Sequence, residues 1–428
     1  MAHVVFVDSG PASLAAFEVA KGLGHHVTFV EPLDISTLRL TATSRDRVAA
    51  ALEHVDRTFT VDRLAEDLDG RMRLIHEELP VDAVITTSEL AVLPTARAAE
   101  SIGVRTTPEH RLARVVEKDL CRDLLVRAGI RSPRHATVTD AGEARTAARE
   151  IGFPLVVKPS RGTAKEGAAI IRAQDGLDAY FDGRNASRAA RDATLDTLMG
   201  TRLVMETYLE GVLYSAEIVA GGGDIRVMMI TRRERATHNE LFEVAAVMPS
   251  GLPQERTADV EDYMRAVFGE LRLTVGVYHV EFIMTADGPT LVEINPRMMG
   301  GMSPFVFRHV TGVDPFRVLV AEHLGERPEL PGPPFDRAGI VVAFGSVEGG
   351  VLPADVERRV EALVDEYRPL RHSLNVRGGD RVPRLTGNYS VLGYFCLGAR
   401  TTEEARYLGR ALISDMSDAL GQRLATYD

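Results

Sequence analysis

The sequence predicts an α/β protein of two or three domains that opens with a small doubly wound unit. Three observations predict it. Residues 1–31 read strand, loop, helix, strand, the start of a parallel β-α-β unit. The chain has 428 residues, 45% hydrophobic and 26% charged, enough for several cores and typical of a soluble globular protein. Residues 276–301 hold two β-rich runs around the turn chemistry of Thr285-Ala-Asp-Gly-Pro289, with acids set among apolar residues.

The first unit takes His3 to Asp8 as a strand, Ala12 to Gly22 as a helix and His26 to Glu31 as a second strand. Ser9-Gly-Pro-Ala-Ser lacks the later glycines of a dinucleotide fingerprint, so a structural role is the simpler reading. Residues 62–79 pattern as an amphipathic helix, Val81 to Thr87 as a buried strand and Ala91 to Ile102 as a helix. Thr87-Ser-Glu89 falls at the strand's C-terminal tip, where open α/β sheets place ligand groups.

A helix is expected from Glu109 to Ala128, carrying Lys118-Asp-x-x-Arg122. Next come a strand, a helix from Asp140 to Ile151, and Phe153-Pro-Leu-Val-Val-Lys158-Pro. A lysine ending an apolar strand must meet an anion or shift its pKa. Ser160-Arg-Gly162-Thr-Ala-Lys165-Glu-Gly167 is a small-residue loop, either a plain hairpin connection or a cradle of backbone N–H groups for phosphate. Residues 182–200 pattern as an exposed helix, and Leu203 to Gly211 as a strand running into Glu206-x-Tyr-Leu209. Two strands follow in 224–249, then a helix from Asp259 to Leu271. His238, alone, reads as an ordinary loop histidine.

In the hairpin, a turn centred on Asp287 sets Glu281 opposite Glu293, roughly 5 Å apart on one face. Asn295 shares that face, and Arg297 follows the strand end. Two carboxylates and an amide oxygen suit Mg²⁺ that is also held by a nucleotide's phosphates. Acids on a solvated strand are the bland alternative, but Val280, Phe282, Leu291 and Val292 are too apolar for that. Helices are expected from Met302 to Val310 and from Pro315 to Leu324. Pro328 to Pro334 marks a boundary, and 338–428 pattern as a trailing α+β unit.

A formal net charge of −11 argues against general binding to nucleic acid or anionic membranes. No signal stretch or apolar run of about 18 residues is seen, and only Cys121 and Cys396 occur, so a reducing cytoplasm is expected. Of 50 basic residues only Lys21, Lys118, Lys158 and Lys165 are lysines. Lysine is a compact point charge that enters narrow phosphate sites, and three of the four fall where a nucleotide site would need them.

In order, Lys118-Asp-x-x-Arg, Val-Val-Lys158-Pro with its loop, Glu206-x-Tyr-Leu-x-Gly, and Glu281 with Glu293-Ile-Asn295-Pro-Arg297 resemble the ATP-grasp superfamily of carboxylate–amine ligases, most of all the bacterial L-amino acid ligases that make dipeptides. The resemblance implies an N-terminal α/β domain over 1–113, an ATP-grasp domain over 114–330 with a mobile lid at 131–204, and a C-terminal α+β lobe over 331–428. It implies that Lys118 and Lys158 bind ATP phosphates, while Ser160, Gly162, Thr163 and Lys165 of the loop close over them. Glu206, Tyr208 and Leu209 would edge the adenine, and Glu210 or Glu217 would hold the ribose. Glu281, Glu293 and Asn295 would bind two Mg²⁺ ions, with Mn²⁺ as an alternative. Arg297 would stabilise the transferring phosphoryl group or the acyl phosphate, and Glu243, Gly300, Gly301 and Arg308 would face substrate beside it.

The implied activity is ATP-dependent joining of a carboxylate, such as an amino acid, to an amine by way of an acyl phosphate, in a cytoplasmic homodimer. Phosphoryl transfer needs positioning and charge neutralisation more than a covalent nucleophile. A purine-pathway or biotin-carboxylase-like enzyme is one alternative, and a catalytically silent nucleotide or amino-acid sensor another. One position departs from the dipeptide-forming pattern: Ala246 stands where a histidine is common, which leaves the amine substrate open.

Overall fold

Four parallel strands open the chain: β1 (His3–Val7), β2 (His26–Pro32), β3 (Arg57–Val61) and β4 (Ala83–Ile85), in the order β3-β2-β1-β4. Val4, Val5, Phe6 and Val7 are all buried, because helices cover both faces of a parallel sheet. The computed structural model describes residues 1–428 except 42, 44, 163, 164, 190–195, 197, 198, 331, 388 and 389. Sequence patterning overlooks β3 and the short helices Thr37–Leu40 and Arg45–Leu52, and it draws β4 too long. In β3 only Val61 is buried, so its apolar alternation is thin.

The expected long helix from Glu109 is two helices, Glu109–Val116 and Lys118–Arg127. Glu117 between them is extended, and the Lys118 N–H donates to the Ser160 carbonyl at 2.9 Å. This break starts the second helix with Lys118 aimed inward.

A separate antiparallel sheet carries Lys158 and the loop that holds Lys165. It contains β5 (His135–Val138), β6 (Leu155–Pro159), β7 (Ala169–Ile171) and β8 (Leu203–Thr207) in the order β5-β8-β6-β7. Helix Ala141–Ile151 packs on it, with Asp140 accepting from the N–H groups of Gly142 and Glu143 as its N-cap. The helix expected over 182–200 starts earlier, at Gln174–Ala189, and most of its later part lies outside the described residues.

The largest sheet comprises β9 (Val212–Gly221), β10 (Asp224–Ala236), β11 (Asn239–Met248), β12 (Gly276–Thr285), β13 (Gly288–Asn295) and β14 (Ala338–Phe344). After the short strand β15 (Gly350–Val351) it gains β16 (Arg371–Leu374); beyond β17 (Arg381–Val382), which pairs with β15, it gains β18 (Gly393–Ala399). Its order is β13-β12-β9-β10-β11-β14-β18-β16, antiparallel throughout. The trailing α+β part therefore extends the central sheet instead of building its own. Helix Gln254–Leu271, which starts five residues before its expected bound, covers one face with Val260, Met264 and Phe268 against Ile218, Val280 and Phe282. On the other face, Val219 and Val277 pack toward the N-terminal unit, and the next inward positions turn polar.

Candidate active site

Those polar positions form two cross-strand rows. His279 pairs with both Glu217 and Asn295, and Glu281 pairs with both Ser215 and Glu293. The expected pairing of Glu281 with Glu293 is present, but the turn is tighter than one centred on Asp287. Thr285 pairs with Gly288 around a two-residue loop, and φ is +114° at Gly288, a conformation that glycine adopts without strain. A register shift after Glu281 adds one residue on β13 and restores the carboxylate pair. The bulged segment turns the Val292 carbonyl inward, where it accepts from Arg122 Nη2 at 2.7 Å and from Lys158 Nζ at 3.3 Å.

Three of the four lysines converge here from three different elements. Lys118 Nζ lies 2.8 Å from Glu293, and Lys158 Nζ lies 2.8 Å from Glu206. Lys165, with φ of 63°, reaches across from the loop to Glu243 on β11. Lys21, the fourth, pairs with Asp56 at the surface. Burial alone would lower the pKa of Lys118 and of Lys165; the facing Glu293 and Glu243 carboxylates outweigh it and raise both. Lys158 is lowered, because burial there outweighs its attraction to Glu206. Burial would raise Glu206, but Arg122 and then Lys158 hold it down at about 2. Glu281 is also held well below its usual range: Lys165 and His279 overcome its burial.

Arg297 Nη2 pairs with Glu89 at 3.0 Å and approaches Asn295 Oδ1 at 3.4 Å. Glu89 sits at the tip of β4, so the N-terminal unit closes one end of the site. Among the described residues no three His, Cys, Asp or Glu side chains gather as a ready-made metal cage. Glu281, Glu293 and Asn295 still offer hard oxygens on one face, which fits an ion that draws the rest of its shell from phosphate and water. Both cysteines are buried, and burial pushes Cys121 up to about 11 and Cys396 up to about 12, so neither is a ready thiolate.

This geometry, an anionic strand face met by lysines from a helix start, a strand end and a loop, can be set beside known proteins. Residues 151–304 match the ATP-grasp domain, and residues 17–104 match the ATP-grasp N-terminal domain, together more than half of the chain. The chain belongs to the ATP-grasp family. It has the ATP-grasp fold with its N-terminal domain. The crystal structure of an L-amino acid ligase from Bacillus licheniformis superposes with a TM-score of 0.77 at 19% identity, covering 100% of this chain and 99% of that one. The carbamoyl phosphate synthase large chain of Thermus thermophilus is 25% identical over 411 residues, which is 91% of this chain and 38% of that protein. An alanine–anticapsin ligase from Bacillus amyloliquefaciens is 23% identical over 313 residues, 69% of this chain and 65% of that protein. The chain thus spans less than two thirds of either curated relative.

Within this ATP-grasp protein several expected roles meet a different geometry. The Glu206 side chain is sequestered between Arg122 and Lys158, so only backbone near it is free to edge an adenine. Glu217 is 1% exposed and engaged by His279 Nδ1 at 2.8 Å and by Ser215, which does not suit a ribose-binding acid. Glu210 is exposed, and the Tyr208 hydroxyl bonds Glu240. Leu209 is half-buried beside them. Arg308 is exposed and paired with Asp314 at 3.3 Å. The Ser160 hydroxyl is tied to Asp119, Gly162 packs near Met199 and Pro159, and Thr163 lies outside the described residues. Gly300 and Gly301 follow Arg297 in an exposed turn.

Three site residues had no role assigned from sequence, Arg122, Arg233 and His279, while Glu89 was placed at a ligand-bearing strand tip without a partner. Arg122 is four residues after Lys118 on one helix, and His279 is two before Glu281 on one strand, so simple periodicity places both. Arg233 pairs with Glu243 at 3.0 Å and approaches His279 at 3.0 Å.

Proposed function

We propose that this chain is an ATP-dependent carboxylate–amine ligase that activates a carboxylate, of the amino-acid class, as an acyl phosphate. The observation that supports it most is the convergence of Lys118, Lys158 and Lys165 on a strand face carrying Glu281, Glu293 and Asn295, with Arg297 at its end. In this form each cation is neutralised by a protein carboxylate. MgATP offers both sets an exchange: phosphate oxygens for the lysines, and divalent ions for the carboxylates.

Lys118 and Lys158 bind the phosphates from two sides, and Lys165 leaves Glu243 to close the loop over them. Glu281, Glu293 and Asn295 would hold the Mg²⁺ ions, which neutralise charge on the transferring phosphoryl group. Arg297 steadies the equatorial oxygens as the substrate carboxylate attacks the terminal phosphorus and ADP departs. The amine then attacks the acyl carbon, phosphate leaves, and a proton is lost from nitrogen. A closed loop keeps water from the acyl phosphate.

Arg233 faces Ala246 across the ladder, and Ala246 is 4% exposed among Met228, Met248, Met298 and Met299. The amine substrate is therefore not held by an imidazole at this position. We place the enzyme in the cytoplasm as a homodimer, in keeping with the resemblance to amino acid ligases and with two unbridged cysteines. Glu293→Gln keeps the shape of the hairpin and removes one carboxylate charge. It should abolish ADP formation in a folded protein; normal turnover would sink the assignment.

A further inference from the structure

A cavity of about 320 Å³ lies at the turn of the β10–β11 hairpin, against helix Thr402–Leu420 and the segment that follows it. It shares no lining residue with the active site. Its size falls in the range of small-molecule sites. Arg410 and Arg423 stand on its wall with Ser414, His238 and Asp418, so the lining carries net positive charge on a chain of −11 overall.

Two features of the lining are unfinished. Among the described residues, His238 Nδ1 is buried without a hydrogen-bond partner. Arg410 is exposed, with the Tyr427 ring as its contact at 5.8 Å, and among the described residues no carboxylate pairs with it. The Arg423 guanidinium pairs with the exposed Glu348 at 3.1 Å, a pair that solvent screens. Burial lowers the pKa of His238, and Arg384 and Arg423 lower it further, so the imidazole sits in a positive field. An anion would relieve that field. Two guanidinium forks and the hydroxyls of the wall match the several oxygens of a tetrahedral phosphate better than a single planar carboxylate.

We propose that this cavity is a second ligand site, which takes a small phosphate-bearing molecule between Arg410 and Arg423.

Inorganic phosphate is the probe, titrated calorimetrically into the full chain in a phosphate-free buffer. Any phosphate bound near the lysines is common to wild type and to the Arg410→Ala/Arg423→Ala variant, so their difference isolates this cavity. The double variant should lose one bound phosphate, or weaken it about tenfold or more. Ser414→Asp, at an exposed helical position, should do the same and serves if the double variant fails to fold. Identical isotherms for wild type and the folded variants would overturn the proposal. So would a difference that vanishes when chloride is raised, which marks diffuse charge instead of a site.

Discussion

Glu206 is 5% exposed and answers two buried cations at once, Arg122 Nε at 2.8 Å and Lys158 Nζ at 2.8 Å. Removing its charge leaves both uncompensated, so Glu206→Gln should cost about 3–5 kcal/mol of stability in denaturant melts. The pH dependence follows from its folded pKa of about 2, below the usual 4.5. Its contribution is complete above pH 4.5 and is lost as pH falls through the folded value. The gap between wild type and variant should therefore narrow from pH 4.5 downward; a constant gap would contradict the ion-pair account. Lys158→Ala should raise the KM for ATP or lower kcat more than tenfold, read by ADP release, and unchanged kinetics would count against its phosphate role. The scarcity of lysine pointed to Lys118, Lys158 and Lys165 from sequence alone. Their present partners were not legible there, because Glu206, Glu243 and Glu293 come from strands distant along the chain.

Among the elements, the β12–β13 hairpin was readable because six-residue symmetry about Asp287 brings Glu281 to Glu293. That count succeeds through two departures that cancel, a turn one residue tighter and a bulge near Val292. The bulge also exposes a carbonyl to Arg122 and Lys158, which no propensity argument would supply. The helix break at Glu117 was hidden for a similar reason: the sequence has no glycine or proline there, and a long-range bond from Lys118 N–H to Ser160 imposes it. The loop between β6 and β7 is held by Lys165 on Glu243. MgATP should replace that tether with phosphate contacts and seat the loop more firmly. Tryptic cleavage at Arg161 and Lys165 should slow about tenfold with MgATP, and speed up in Glu243→Gln without it. Equal cleavage with and without nucleotide would remove the loop from the closing role.

Across the whole molecule, the sheet joins three kinds of work. One face anchors Gln254–Leu271, while the other starts apolar against the N-terminal unit and ends in the polar rows that meet the lysines. Glu89 and Arg297 link the N-terminal unit to that end, so the site is complete only when both parts are present. Parallel opening, central hairpin and family motifs made this architecture legible. The merging of the C-terminal strands β14, β16 and β18 into the central sheet was not, because antiparallel partners far apart in sequence carry no local signature. The central claim is that ATP cleavage is coupled to amide formation. The direct measurement is ADP and phosphate release with MgATP over a matrix of amino acids, single and paired, with mass spectrometry of the products. The account predicts ADP with particular pairs and a product lighter than their sum by one water. ADP release in the absence of any condensed product across all pairs, or bound ATP that no acid or pair causes to turn over, would contradict it.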